Sequence, residues 1–210
     1  MMWHCDVTTA HVSRGWELEA ANRLGSGQVL AFPTDTLYGL AADPRNASAV
    51  GRLYRIKGRA VEEAVPLIAA DVGQLDACRA VLPPIARRLI ERFWPGPLTL
   101  VVPAWDGLCP ALLGGRDTVA VRVPDHDVAR AIARAFGYPI TSTSANRSGQ
   151  PGTADPDEVR RVLGTQLDGL IDAGPSPGGR PSTIVDATGP ALRLIRAGAV
   201  AWDRVLEFDR

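Results

Sequence analysis

Gly25-Ser26-Gly27-Gln28-Val29-Leu30-Ala31-Phe32-Pro33-Thr34-Asp35-Thr36 is the stretch that decides the fold. The glycines stop a helix predicted over residues 16–24, the apolar run at 28–32 predicts a short buried strand, and Pro33 ends that strand in a polar loop. Helix, buried strand and polar loop in that order form the repeating unit of an α/β protein. Working outward, Asn46 caps a helix predicted through Arg55, and residues 65–70 read as a strand. Pro83-Pro84 opens an amphipathic helix that ends near Trp94-Pro95-Gly96-Pro97. Strands are predicted at 98–103 and 118–123, a helix at 125–136, and a strand at 138–143 running into Ser144-Ala145-Asn146. Asp155 caps a short helix, and 169–172, 182–186 and 192–196 read as closing strands. Hairpin-like neighbours in the middle and near the end predict a mixed sheet flanked by helices, in one domain over residues 1–210. The Pro- and Gly-rich segment 175–181 is short enough to be a surface loop.

With 46% hydrophobic and 22% charged residues the chain has the composition of a globular domain with one sizeable core. No apolar run is long enough to span a bilayer, and the N-terminus lacks a basic, apolar leader pattern, so a cytoplasmic location and no membrane partner are expected. Cys5, Cys78 and Cys109 are odd in number and widely spaced, which argues against a disulfide framework or a Cys-x-x-Cys site. Three scattered histidines, His4, His11 and His126, leave almost no ligands for zinc, so no protein metal site is expected. Zero formal net charge means that no global basic field marks a nucleic-acid binder. Of 23 basic residues, Lys57 is the only lysine, which hints at a position needing a compact ammonium rather than a planar fork.

Some motifs fail on context. Gly174-Pro175-Ser176-Pro177-Gly178 matches G-x-S-x-G, but prolines flank the serine and no histidine follows His126 to complete a hydrolase triad. Neither a Walker-type loop nor a strand-coupled G-x-G-x-x-G is present. Four polar clusters remain at the ends of apolar strands: Pro33-Thr34-Asp35-Thr36, Lys57-Gly58-Arg59, Ser142 through Asn146 with Ser148-Gly149, and Ser182-Thr183. Each alone reads as a turn, a cap or a solvated helix end. Together, small hydroxyls and amides beside glycine can present donors to phosphate oxygens while Lys57 and Arg59 neutralise them.

These clusters, with Phe93-Trp94-Pro95-Gly96-Pro97-Leu98-Thr99, Val121-Arg122-Val123-Pro124 and Ser182-Thr183-Ile184-Val185-Asp186, resemble the YrdC-like family of threonylcarbamoyl-AMP synthases, in its short single-domain form. The resemblance spans nearly the whole chain. It implies a twisted mixed β-sheet flanked by helices around a basic cavity. There L-threonine, bicarbonate or CO2, and ATP would be condensed with release of pyrophosphate, for the N6-threonylcarbamoyl modification of adenosine in tRNA. Carried over by position, nucleotide contacts fall on Arg59, Thr118, Ser144, Asn146 and Arg196. Thr34, Arg122, Ser142 and Ser182 surround threonine, and Lys57 lies between the two. Lys57 and Arg59 would carry the catalytic charge stabilisation, with Mg2+ accompanying the triphosphate and downstream transfer proteins taking the product. Two other readings stand beside this one. A structured-RNA module would use Arg52, Arg55, Lys57 and Arg59 as a basic stripe, and a paralogue altered around Glu62-Glu63 would adenylate a different carbamate.

Overall fold

The structure, a computed structural model, describes residues 2–8, 15–58 and 63–208. Its first half runs β1 (Trp3–Asp6), α1 (Trp16–Gly25), β2 (Leu30–Phe32), β3 (Gly39–Ala41), α2 (Ala47–Lys57), β4 (Leu67–Ile68), α3 (Val72–Ala77), α4 (Pro84–Phe93) and β5 (Leu98–Pro103). The second half runs α5 (Pro110–Leu113), β6 (Thr118–Arg122), α6 (Asp127–Phe136), β7 (Ile140–Thr141), β8 (Thr143–Ser144), α7 (Pro156–Leu163), β9 (Gly169–Asp172), β10 (Thr183–Asp186), β11 (Arg193–Arg196) and α8 (Trp202–Leu206).

The α/β architecture and the mixed pairing are as the sequence predicts, but the strands form two sheets where one was expected. One sheet has the order β1-β9-β2-β3-β8 and the other β11-β10-β5-β6-β4-β7. Both are mixed: β2 runs parallel to β9 and antiparallel to β3, while β5 runs parallel to β10 and antiparallel to β6. The cause lies in the predicted strand at 138–143, which breaks at Ser142. Its first half pairs with β4 in one sheet and its second half with β3 in the other. At the break, Ser142 N–H donates to the Pro66 carbonyl at 2.8 Å, so the change of sheet leaves no backbone donor unpaired there.

Side-chain alternation explains why β2 reads as a continuous apolar run. Val29 and Ala31 enter one hydrophobic cluster, Leu30 and Phe32 a second, so both faces of the strand are buried. Leu40 and Ala41, Leu67 and Ile68, and Leu170 and Ile171 divide in the same way. The second cluster is closed by α1 and α6 through Ala20, Leu24, Ala129, Ile132 and Ala133. The first receives α2 and α4 through Leu53, Ile56, Ile85 and Leu89. Helix starts follow their caps: Asn46 Oδ1 accepts from the backbone N–H groups of Ser48 and Ala49, and the Asp155 carboxylate accepts from Asp157. Among the described residues no helix is long and apolar enough to cross a membrane.

Candidate functional site

Lys57 ends α2, and Gly58 closes the helix in the left-handed region at φ 60°. The lysine is 4% exposed. Its Nζ donates to the Ser144 carbonyl at 2.5 Å, the Asn146 carbonyl at 3.0 Å and Asn146 Oδ1 at 3.1 Å. The Lys57 carbonyl in turn accepts from Ser148 N–H at 2.7 Å. Three acceptors converging on one point suit the three hydrogens of an ammonium and not a flat guanidinium. In this structure Lys57 is buried and fastens α2 to the Ser144–Asn146 segment. Within that segment Ser144 Oγ donates to Asn146 Oδ1, and Asn146 Nδ2 donates to the carbonyls of Arg147 and Gln150.

A second group forms where the loop after β2 meets the end of β6. Arg122 closes β6 with its side chain 7% exposed and pairs through Nη1 with Asp35. Its Nη2 donates to Thr34 Oγ1 at 3.3 Å and to Thr36 Oγ1 at 3.4 Å. Thr34 Oγ1 passes its own hydrogen to the Leu37 carbonyl at 2.7 Å, leaving its lone pairs for Arg122. Alternation along β6 sends Val119 and Val121 into the core and Thr118, Ala120 and Arg122 to the opposite face.

The third group belongs to the strand ends of the six-stranded sheet. Ser182 Oγ lies 2.8 Å from Thr99 Oγ1. Arg196, the last residue of β11, donates through Nη2 to the Ser182 carbonyl at 2.7 Å and to Ser182 Oγ at 3.2 Å. Gly198 makes this arrangement possible, because a Cβ there would stand 2.3 Å from the Pro181 carbonyl oxygen and 2.5 Å from Thr183 N. Arg196 is exposed as a residue, yet protein around its guanidinium pulls its pKa down by desolvation, and the like charge of Arg122 pulls it further. It remains charged at any physiological pH. No carboxylate among the described residues pairs with Arg196, whereas Arg122 pairs with Asp35, so one carboxylate stands against the two arginines. A cluster with that surplus has the electrostatics of an anion site.

Of the residues singled out from sequence, Lys57, Ser144 and Asn146 come together, as do Thr34 and Arg122, and Ser182 and Arg196. Ser142 stands between β7 and β8, and its Oγ would lie 3.3 Å from a Cβ placed on Gly39. Thr118 shares a face of β6 with Arg122 but sits four residues away, about 13 Å along an extended strand. Arg59 and Glu62 lie outside the described residues. Of the basic residues from Arg52 onward, Arg52 pairs with Asp168 at 2.5 Å and donates to the Gln166 carbonyl, and Lys57 is buried. Sequence reasoning passed over Asp35, Thr36, Thr99 and His126 as individual site residues. For Asp35 the available signal was an acid between two threonines at the end of a buried strand. Cys5, Cys78 and Cys109 are free thiols, each pushed up in pKa chiefly by burial.

The profile of the Sua5/YciO/YrdC family, described as telomere recombination, matches residues 22–198. The chain belongs to the Sua5/YciO/YrdC family. A protein of Bacillus subtilis (strain 168) named threonylcarbamoyl-AMP synthase is 37% identical over 205 residues, covering 97% of this chain and 59% of the relative. One of the same name from Thiobacillus denitrificans is 42% identical over 188 residues, covering 89% of this chain and all of the relative. This member of the Sua5/YciO/YrdC family thus spans under two thirds of the first relative's length and the whole of the second's. The crystal structure of Pyrococcus abyssi Sua5 complexed with L-threonine superposes with a TM-score of 0.90 at 32% identity, over 99% of this chain and 60% of that one.

Proposed function

We propose that this chain is an L-threonylcarbamoyladenylate synthase, a nucleotidyltransferase that condenses L-threonine, bicarbonate or CO2, and ATP to threonylcarbamoyl-AMP and pyrophosphate. The observation that carries the reading is the surplus positive charge of Arg122 and Arg196 among the hydroxyls of Thr34, Thr36, Thr99 and Ser182. The names of the relatives and the threonine-bound Sua5 structure supply the substrate class. The planar fork of Arg122 suits the threonine carboxylate, with Thr34, Ser142 and Ser182 around it. Arg196 offsets phosphate charge, Ser144 and Asn146 contact the nucleotide, and Thr118 and Arg59 complete the nucleotide side. Lys57 acts by holding Ser144 and Asn146 in register, which gives it a positioning role.

The chemistry needs no protein nucleophile. The threonine nitrogen, after its ammonium gives a proton to solvent, bonds the carbon of CO2 and releases a second proton to give a carbamate, whose oxygen attacks the α-phosphorus of ATP as the bond to pyrophosphate breaks. Side chains contribute by positioning the reactants and stabilising developing charge. Among the described residues no group of three or more His, Cys, Asp or Glu could hold a metal. In this reading Mg2+ accompanies the triphosphate as part of the substrate. The reading places the enzyme in the cytoplasm, serving tRNA modification through downstream threonylcarbamoyl-transfer proteins.

Pyrophosphate release from ATP tests the proposal, measured with and without threonine and bicarbonate, in wild type and Arg196→Ala. Strict dependence on both substrates and a fall of about a hundredfold in the variant are expected, from loss of a charge-stabilising donor. Robust turnover with another amino acid and none with threonine would move the assignment to a different carbamate.

A further inference from the structure

The Asp35 side chain is 8% exposed and the Arg122 side chain 7%. One Asp35 oxygen pairs with Arg122, while the other, Oδ2, is buried and meets no hydrogen-bond donor among the described residues. Buried carboxylates normally fill their acceptor capacity, so a free buried oxygen marks a place where a donor is missing. Thr34 and Thr36 direct their oxygens to Arg122, not to Asp35. Asp35 also acts electrostatically on His126, around which Asp125, Asp127 and Arg130 are the other charges. Burial, ahead of these charges, holds His126 below its ordinary pKa, so near neutral pH it is no second cation competing for the carboxylate.

We propose that Asp35 and Arg122 form a zwitterion-selective gate, into which the substrate amino acid inserts with its carboxylate on the Arg122 guanidinium and its ammonium on Asp35. The inference rests on the threonine reading given above and names Asp35 as the residue that recognises the amino group. Neither charged group is open to solvent while they pair, so a ligand must part them. A carboxylate alone would take Arg122 and leave Asp35 buried without a counter-charge, and an amine alone would strand Arg122. An α-amino acid carries both complements on one carbon and leaves neither group uncompensated. Discrimination of this kind comes from the penalty imposed on the wrong ligand, which exceeds the loss of one contact.

The test is calorimetric binding, without ATP, of L-threonine and of 3-hydroxybutanoate, which keeps the carboxylate and hydroxyl but lacks the amine. Wild type should prefer threonine by about tenfold or more, the value of a charged hydrogen bond. In Asp35→Asn threonine should weaken by about the same factor while 3-hydroxybutanoate binds more tightly, collapsing the preference. Equal affinities in wild type would overturn the gate without recourse to any variant. An undiminished preference in Asp35→Asn, or equal weakening of both ligands, would overturn it as well, the latter assigning Asp35 only to holding Arg122. If wild type binds ATP but not threonine, the threonine reading fails and the gate with it. Threonine binding that survives Asp35→Asn unchanged removes the gate alone.

Discussion

Lys57 is buried and His126 half-buried, and the role of each can be tested by changing one side chain. Lys57 satisfies three acceptors that point at a single atom, so Lys57→Met leaves the Ser144 and Asn146 carbonyls buried without that donor. The Ser144 carbonyl keeps the Asn146 N–H at 2.9 Å, so the Asn146 carbonyl is the acceptor left short, and a destabilisation of about 1–3 kcal/mol is expected in chemical denaturation. Lys57→Arg should rescue neither stability nor pyrophosphate release, since a fork cannot reproduce the tripod. At His126 burial lowers the pKa, so the folded state binds fewer protons than the unfolded chain below about pH 6.5. The stability tied to this neutral imidazole is complete above the unfolded value and is lost as pH falls through the depressed folded one. Melting temperature should therefore hold between pH 8 and 7 and decline below 6.5. His126→Gln should flatten that decline, and an unchanged pH profile in the variant would assign the effect to other groups.

The stretch from β10 to the turn after β11 shows how an element positions a side chain it does not contain. Ala199 N–H donates to the Pro181 carbonyl at 2.9 Å, and Thr183 Oγ1 donates to the Val200 carbonyl at 2.6 Å, so residues after β11 brace the backbone on both sides of Ser182. A Cβ at Gly198 would strike Pro181 O, Ser182 C and Thr183 N, all backbone atoms unable to rotate away. Gly198→Ala should cost about 1–3 kcal/mol of stability by overpacking and raise KM for threonine more than it lowers kcat, measured by steady-state pyrophosphate release. No local pattern announces such a close approach, which depends on strands joined only in the folded sheet. Elements fixed by their own residues were legible: α2 from Asn46, α4 from Pro83-Pro84, and β5 and β9 from apolar runs of the right length. The break at Ser142 was not, because Tyr138 to Thr143 carries no glycine and no interior interruption after Pro139, and a hydrogen bond to distant Pro66 sets it. β3, β1 and the short helices α3, α5 and α8 were missed for a related reason: three to six residues provide too little periodicity to read. The site was legible as clusters at strand ends, whereas the burial of Lys57 and the pairing of Asp35 with Arg122 depend on which clusters the two sheets bring together.

Across the whole molecule, β2, β3, β4 and β9 each send alternate residues into both hydrophobic clusters, so neither cluster can loosen without disturbing the strands that wall the other. The Asp35-bearing loop leaves β2 and Arg122 ends β6, the parallel neighbour of β4, so the site inherits its geometry from this shared wall. Such coupling calls for one cooperative unfolding transition despite the two sheets. Leu100→Ala empties part of the first cluster and Ile132→Ala part of the second, and both parent residues are fully buried. Each truncation should cost about 2–5 kcal/mol. At roughly 2–4 °C per kcal/mol for a chain of this size, both variants should shift one calorimetric peak to lower temperature while keeping it single. Two resolved peaks in either variant would mean that the clusters unfold separately, and the shared strands would then not transmit stability from the α1–α6 side to the Arg122 site.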